Sequence, residues 1–219
     1  MTLKLRQRKV FGIDLEDYKI DKRIEEKLVG GKSEEEVLVF GSNDGVYCFD
    51  GKIVKKIAER DNWVMTLKVF NGELYDAGRY RKIYRTMDNE VVAKRISWIM
   101  ALEVLGKELY DAGLYREIYR TMDNEVVAKR YGPVMTLGEF GGELYDAGAY
   151  GKIYRTRDSE VVAKRDNWVM ALEVLGKELY DAGADGKIYR TRDSEVVVDL
   201  GKPILCMLAV PRSVLSGLM

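Results

Sequence analysis

The chain has 219 residues, 36 of them basic and 36 acidic, no histidine, and 33% charged side chains. A formal charge of zero gives no general reason to expect nucleic acid or an anionic membrane as partner. No apolar run approaches the roughly 20 residues of a helical membrane span.

The first 35 residues lie outside the pattern that governs the rest. Met1 to Lys9 carries charge without a following apolar core, so no secretory leader is expected and a cytoplasmic location is. Lys4, Arg6, Arg8 and Lys9 read as a solvated basic tail. Ile20, Ile24 and Leu28 recur at helical spacing, which predicts a helix from Asp14 to Val29, ended by Gly30 and Gly31. The charge-rich composition, with one glutamine, leans towards a thermophile.

From Trp63 the chain repeats with a period of 35 residues, so that Tyr75, Tyr110, Tyr145 and Tyr180 are equivalent positions. A fixed period is the strongest fold signal a single sequence carries. In the copy at 168–200 an apolar run (Val169 to Leu175) is followed by Glu178 to Gly183, Lys187 to Thr191 and Glu195 to Val198. Turn residues separate the four runs. Four short strands in 35 residues is the sequence form of one β-propeller blade. Ala101 to Arg120, taken alone, also looks like a tetratricopeptide helix pair. The equivalent stretch at 137–156 holds Gly138, Gly141, Gly142, Gly148 and Gly151, each costing a helix about 1 kcal/mol. The copies must share one fold, so strands are expected throughout. Residues 100–113 and 170–183 are identical, which implies amplification of a single unit.

Residues 36–59 read as the second, third and fourth strands of a divergent blade. Its first strand is supplied by 203–210, one period after Trp168 to Leu175. The expectation is an all-β, five-bladed ring of four-stranded blades, built from 36–59 plus 203–210, then 63–95, 98–130, 133–165 and 168–200. The domain spans 36–219, behind an N-terminal extension, and closure by the C-terminal strand removes an open edge. On this placement Cys48 and Cys206 are two strand spacings apart, about 10 Å, beyond the roughly 7 Å reach of a disulfide. Two free thiols and a reducing compartment are expected.

The Gly-Lys-Ile-Tyr-Arg units at 151–155 and 186–190 resemble the β-propeller family, and a five-bladed ring resembles tachylectin-type sugar-binding propellers in architecture. The resemblance covers about 36–211 and implies a fold, not an activity. The Trp-Asp dipeptide of the WD40 type, with its histidine partner, is absent.

Two sets of turns should share one rim. One set brings Trp63, Trp98 and Trp168. The other brings Tyr80, Tyr115 and Tyr150, with Asn43 and Asp185 in their slots, beside Arg79, Arg81 and Arg116. Aromatic faces with polar neighbours suit a sugar or planar group, although large aromatics more often plug the gap between blades. Asp76, Asp111, Asp146 and Asp181 place a carboxylate among apolar strands, where it must be hydrogen-bonded. A structural ring of clamps is favoured, with Arg85, Arg120, Arg155 and Arg190 the natural partners or else an arginine of the neighbouring blade; a cation site is the alternative. Glu195, Lys94, Arg95 and their equivalents read as a solvated outer face. Lys68, Glu103 and Glu173 occupy the channel slot of the first strand, as an ion pair or, alternatively, as an acid–base set of a glycoside-acting enzyme. No Cys/His metal spacing or nucleophile–base pair is visible, so no metal or cofactor is expected. The functional expectation is a non-enzymatic scaffold binding protein or carbohydrate, with neither nucleic acid nor membrane. The alternatives are the glycoside-acting enzyme and a purely structural or viral repeat module.

Overall fold

The computed structural model describes residues 9–10, 13–14, 38–49 and 53–207. A small pair, β1 (Lys9–Val10) and β2 (Ile13–Asp14), stands ahead of five antiparallel sheets. The first unit is three-stranded: β3 (Leu38–Gly41), β4 (Gly45–Phe49) and β5 (Val54–Glu59). The second is β6 (Val64–Phe70), β7 (Glu73–Gly78), β8 (Lys82–Arg85) and β9 (Glu90–Lys94). The third is β10 (Ile99–Leu105), β11 (Glu108–Gly113), β12 (Glu117–Arg120) and β13 (Glu125–Lys129). The fourth is β14 (Val134–Phe140), β15 (Glu143–Gly148), β16 (Lys152–Arg155) and β17 (Glu160–Lys164). The fifth is β18 (Val169–Leu175), β19 (Glu178–Gly183), β20 (Lys187–Arg190) and β21 (Glu195–Asp199).

Each four-stranded unit is a meander in sequence order. The register repeats residue for residue: Leu67 faces Asp76, Leu102 faces Asp111, Leu137 faces Asp146 and Leu172 faces Asp181. Bulges recur at the same two places, after the first residue of each innermost strand and midway along the outer hairpin. A bulge bends its strand and adds twist, so identical bulges give identical blade shapes.

The innermost strands β6, β10, β14 and β18 stack on one another, and β3 meets β6. Strands β6, β10 and β14 thus have neighbours on both faces, hence the unbroken apolar runs. Separate core clusters fill each gap between neighbouring sheets: Ile83 with Ile99 and Leu102, Ile118 with Val134 and Leu137, and Ile153 with Val169 and Leu172. One layer of apolar side chains therefore joins each pair of units.

The expected closing strand is only partly within the described residues. Residues 203–207 carry no strand, and 208–210 lie outside the described residues. Ile204 N–H donates to the Gly183 carbonyl at 2.9 Å, which starts the segment beside the fifth sheet one period after Val169. Of the expected N-terminal helix, Asp14 belongs to β2 and the remainder lies outside the described residues, as does most of the basic tail. Cys48 and Cys206 are both free.

Candidate functional site

The repeated carboxylate anchors a four-residue cluster. Asp111 accepts two bonds from Arg95, at 2.7 Å from Nε and 2.5 Å from Nη2, and a third from the Thr121 hydroxyl at 2.9 Å. The Tyr119 ring lies on the guanidinium face, 4.1 Å from its carbon. Arg60, Arg130 and Arg165 make the same bidentate contacts with Asp76, Asp146 and Asp181. Thr86, Thr156 and Thr191 repeat the hydroxyl bond. Tyr84, Tyr154 and Tyr189 repeat the stacking. Each arginine ends one unit and each aspartate lies in the second strand of the next. The clusters are thus rivets between neighbours, and bidentate, stacked geometry is what guanidinium supplies and lysine cannot.

The carboxylates are at most 1% exposed. Burial pushes the Asp111, Asp146 and Asp181 carboxyls up, and the paired arginine pulls each back. The structure departs from two expectations. Arg85, Arg120, Arg155 and Arg190 do not reach the buried aspartates; they bond the outer-hairpin carboxylates Asp88, Asp123, Asp158 and Asp193 instead. Arg95 is not part of a solvated face but a buried clamp. The partner is the arginine that ends the preceding unit, its guanidinium stacked on a tyrosine beside the aspartate, whereas Arg85 and its equivalents bond the tight turn three residues ahead.

The two sets of turns do share an end of the molecule. Arg79, Leu114, Ala149 and Ala184 donate their N–H groups to the carbonyls of Trp63, Trp98, Pro133 and Trp168 at 3.0–3.1 Å. A Cβ on Gly113 or Gly148 would stand 2.0 Å from one of those carbonyls, so glycine is fixed here by this approach. Around this frame the side chains differ from unit to unit. The Arg79 guanidinium lies 4.2 Å from the Trp98 ring and 5.5 Å from that of Trp63, bridging two units, and its buried Nε has no hydrogen-bond partner among the described residues. Trp63 and Trp98 are half-buried; Trp168 is 51% exposed. Tyr80 turns inward and donates its hydroxyl to Asp76, and burial pushes that phenol up. Tyr115 and Tyr150 turn outward and are 49% and 67% exposed. Arg81 and Arg116 are exposed and hold φ of 61° and 71°, where the fourth and fifth units have Gly151 and Gly186.

This geometry was compared with known proteins. No protein-family model matches the sequence, and no curated protein matches it. Among solved structures, the WD40 β-propeller domain of Doa1 superposes with a TM-score of 0.62 at 12% identity, over 80% of this chain and 69% of that one. The computationally designed Ika8 protein gives 0.56 at 13% identity, over 83% and 64%. The Neurospora crassa Pan2 WD40 domain gives 0.56 at 12%, over 77% and 63%.

The fold is a β-propeller.

The chain spans about two thirds of the length of these structures. Five propeller blades are present, and the likeness to WD40 domains is one of fold, since the Trp-Asp dipeptide is missing. In the propeller's inner layer Lys68 and Glu103, on adjacent innermost strands, form the expected ion pair, and Glu103 also accepts the Val104 N–H at 2.8 Å. Glu173 accepts the Val174 N–H at 2.9 Å. Among the described residues no cluster of three or more carboxylates or thiols is arranged to hold a metal. The feature the sequence hid is a cavity of about 390 Å³ where the chain enters the fourth blade, lined by Arg130, Asp146, Tyr150, Lys152 and Tyr154 among others. The signal that could have found it is the loss of the tryptophan at Pro133.

Proposed function

We propose that the chain is a non-enzymatic protein-interaction scaffold that binds through the rim carrying Tyr115, Tyr150, Trp168, Arg81 and Arg116. One observation carries the reading: repeats alike in their frame diverge on this rim, where two arginines hold left-handed backbone that sibling copies give to glycine. Such a conformation disfavours a side chain, and strain of this kind gathers at working sites. The engagement of Glu103 by Lys68 favours a scaffold over a glycoside-acting enzyme. We further propose that 203–210 completes the first blade beside β3, from the start Ile204 makes on the fifth blade.

The test is a selection of displayed peptides on the full chain, with a glycan array in parallel. We expect peptides rich in acidic and aromatic residues, whose binding falls at least tenfold in the Arg81→Glu/Arg116→Glu variant, and a silent array. Sugar binding lost on Tyr115→Ala or Tyr150→Ala would replace the protein reading with a carbohydrate one. Peptide binding indifferent to both arginines would remove the rim from the account.

A further inference from the structure

Three of the four clamps offer the same unfilled chemistry, and the second blade shows what completes it. On Asp76 the carboxylate accepts four hydrogen bonds: two from Arg60, one from Thr86 and one from Tyr80. The Tyr80 hydroxyl shares the oxygen that takes Arg60 Nε. Its ring centre lies 5.6 Å from that of Tyr84. A phenol is thus already seated in the slot beside one clamp.

On Asp146, Oδ2 accepts Arg130 Nη2 at 2.6 Å and Thr156 at 2.8 Å, while among the described residues Oδ1 accepts only Arg130 Nε at 2.6 Å. Among the described residues no hydroxyl takes on Asp146 the position that Tyr80 fills on Asp76, and Asp146 lines the cavity. The equivalent tyrosine, Tyr150, lies outward instead, with its ring against Gly132 so closely that a Cβ there would sit 2.1 Å from a ring carbon. No sibling copy has glycine at this place; Asn62, Ser97 and Asn167 stand there. Pro133 likewise replaces the tryptophan of its siblings. The cavity that reaches Asp146 measures about 390 Å³, against about 10 Å³ beside Asp111, where Trp98 and Ile96 are in the wall; a space of about 440 Å³ by Tyr115 and Arg116 does not include Asp111 in its lining. Ten cubic ångströms admits at most one water; several hundred is the size of a small-molecule site. In the fifth blade Asp185 takes the tyrosine's slot and accepts the Tyr189 hydroxyl.

We infer that the cavity at Asp146 is a receptor for the side chain of a partner protein's tyrosine, entering phenol first and donating its hydroxyl to Asp146 Oδ1. The ring then lies beside Tyr154, as Tyr80 lies beside Tyr84. Lys152 borders the mouth where the Asp111 site has Glu117, so acidic residues flanking the tyrosine are favoured. Phosphorylation of the tyrosine excludes it, because a phosphate carries close to two negative charges and cannot donate to a buried carboxylate. This inference rests on the rim's being the binding face and adds the residue it selects.

The probes are three blocked peptides, acetyl-Glu-Gly-Tyr-Gly-amide and its phenylalanine and phosphotyrosine versions, titrated into the full chain by heteronuclear NMR. We expect saturable shifts around Asp146 and Tyr154 with the tyrosine peptide, at least tenfold weaker binding of the phenylalanine peptide, and none of the phosphotyrosine peptide. A buried polar group left unpaired is what makes such a site reject the analogue lacking the hydroxyl. Pro133→Trp, which restores the sibling residue without touching the clamp, should abolish binding while the melting temperature holds. Equal binding of the tyrosine and phenylalanine peptides would overturn the proposal. So would binding seen only in Tyr150→Ala, since Tyr150 would then be the cavity's own occupant. The two readings fail separately: displayed-peptide binding that survives Pro133→Trp keeps the rim and loses the pocket.

Discussion

Arg95, the residue after the outermost strand of one blade, holds Asp111 in the second strand of the next through two contacts of 2.7 and 2.5 Å, with both side chains under 10% exposed. The pair joins two blades that also meet through an apolar layer and the Lys68–Glu103 ion pair. Removing one partner leaves a buried charge alone. Asp111→Ala should cost about 3–5 kcal/mol, and Arg95→Met/Asp111→Leu should recover most of it. Chemical denaturation of both variants is the check; a double variant as unstable as the single one would mean that the charges hold the interface in a way apolar packing cannot.

The clamps and the outer hairpins should respond oppositely to acid. Bonds from Arg85, Arg120, Arg155 and Arg190 hold the carboxyls of Asp88, Asp123, Asp158 and Asp193 below their usual range. A carboxyl depressed in the folded state stabilises above its unfolded pKa, about 3.9, and that contribution disappears as pH falls through the folded value. The buried clamp carboxyls Asp111, Asp146 and Asp181 are raised, so their linkage favours folding below the unfolded pKa and weakens as pH rises through the folded one. Replacing the four hairpin aspartates with asparagine should therefore flatten the fall of melting temperature between about pH 4 and pH 2. An unchanged slope would place the acid sensitivity elsewhere.

Left-handed backbone separates stability from use. Ser159 and Ser194 hold φ of 60° at the position where Asn89 and Asn124 hold 61°. Asn89 Oδ1 accepts Arg60 Nη1 at 2.7 Å and Ser159 Oγ accepts Arg130 Nη1 at 3.0 Å, so asparagine serves both the turn and the clamp. Ser159→Asn and Ser194→Asn should each stabilise by on the order of 0.5 kcal/mol, because asparagine tolerates this conformation best after glycine. Arg81→Gly and Arg116→Gly should stabilise by a similar amount while weakening binding at the rim. Calorimetry reads the first effect; loss of stability in the glycine variants would show that the arginines are there for the fold.

Closure can be trapped with an engineered disulfide. If 203–210 pairs with β3 in the register of β18 with β19, Met207 falls opposite Phe40, as Leu172 falls opposite Asp181. Facing residues of an antiparallel pair are about 4.5–5.5 Å apart, within disulfide reach. Phe40→Cys/Met207→Cys in a Cys48→Ser/Cys206→Ser background should oxidise to one intramolecular bridge, seen as faster migration without reductant. Persistent free thiols under mild oxidation would argue for a ring that the C-terminal segment leaves open.

The 35-residue period, the four strands of each unit from 63 to 200 and their order were legible because they follow from local chemistry. Alternating apolar runs, turn residues at fixed offsets and identical copies leave little freedom. Five glycines in the stretch at 137–156 excluded the helical rival without any knowledge of contacts. The existence of a carboxylate ring was legible too, since Asp111 among apolar neighbours had to find a donor.

Which donor it found was decided by the tertiary structure. Arg95 and Arg120 have the same chemistry, and only the approach of neighbouring sheets selects the first for Asp111 while the local turn takes the second. Likewise Tyr80 and Tyr150 occupy equivalent places in nearly identical repeats, yet one fills its slot and the other leaves a cavity. The repeat dictated that a tyrosine stands there. The outward ring of Tyr150 lies against Gly132, where a Cβ would stand 2.1 Å from a ring carbon, a fit that exists only once the turns are folded together.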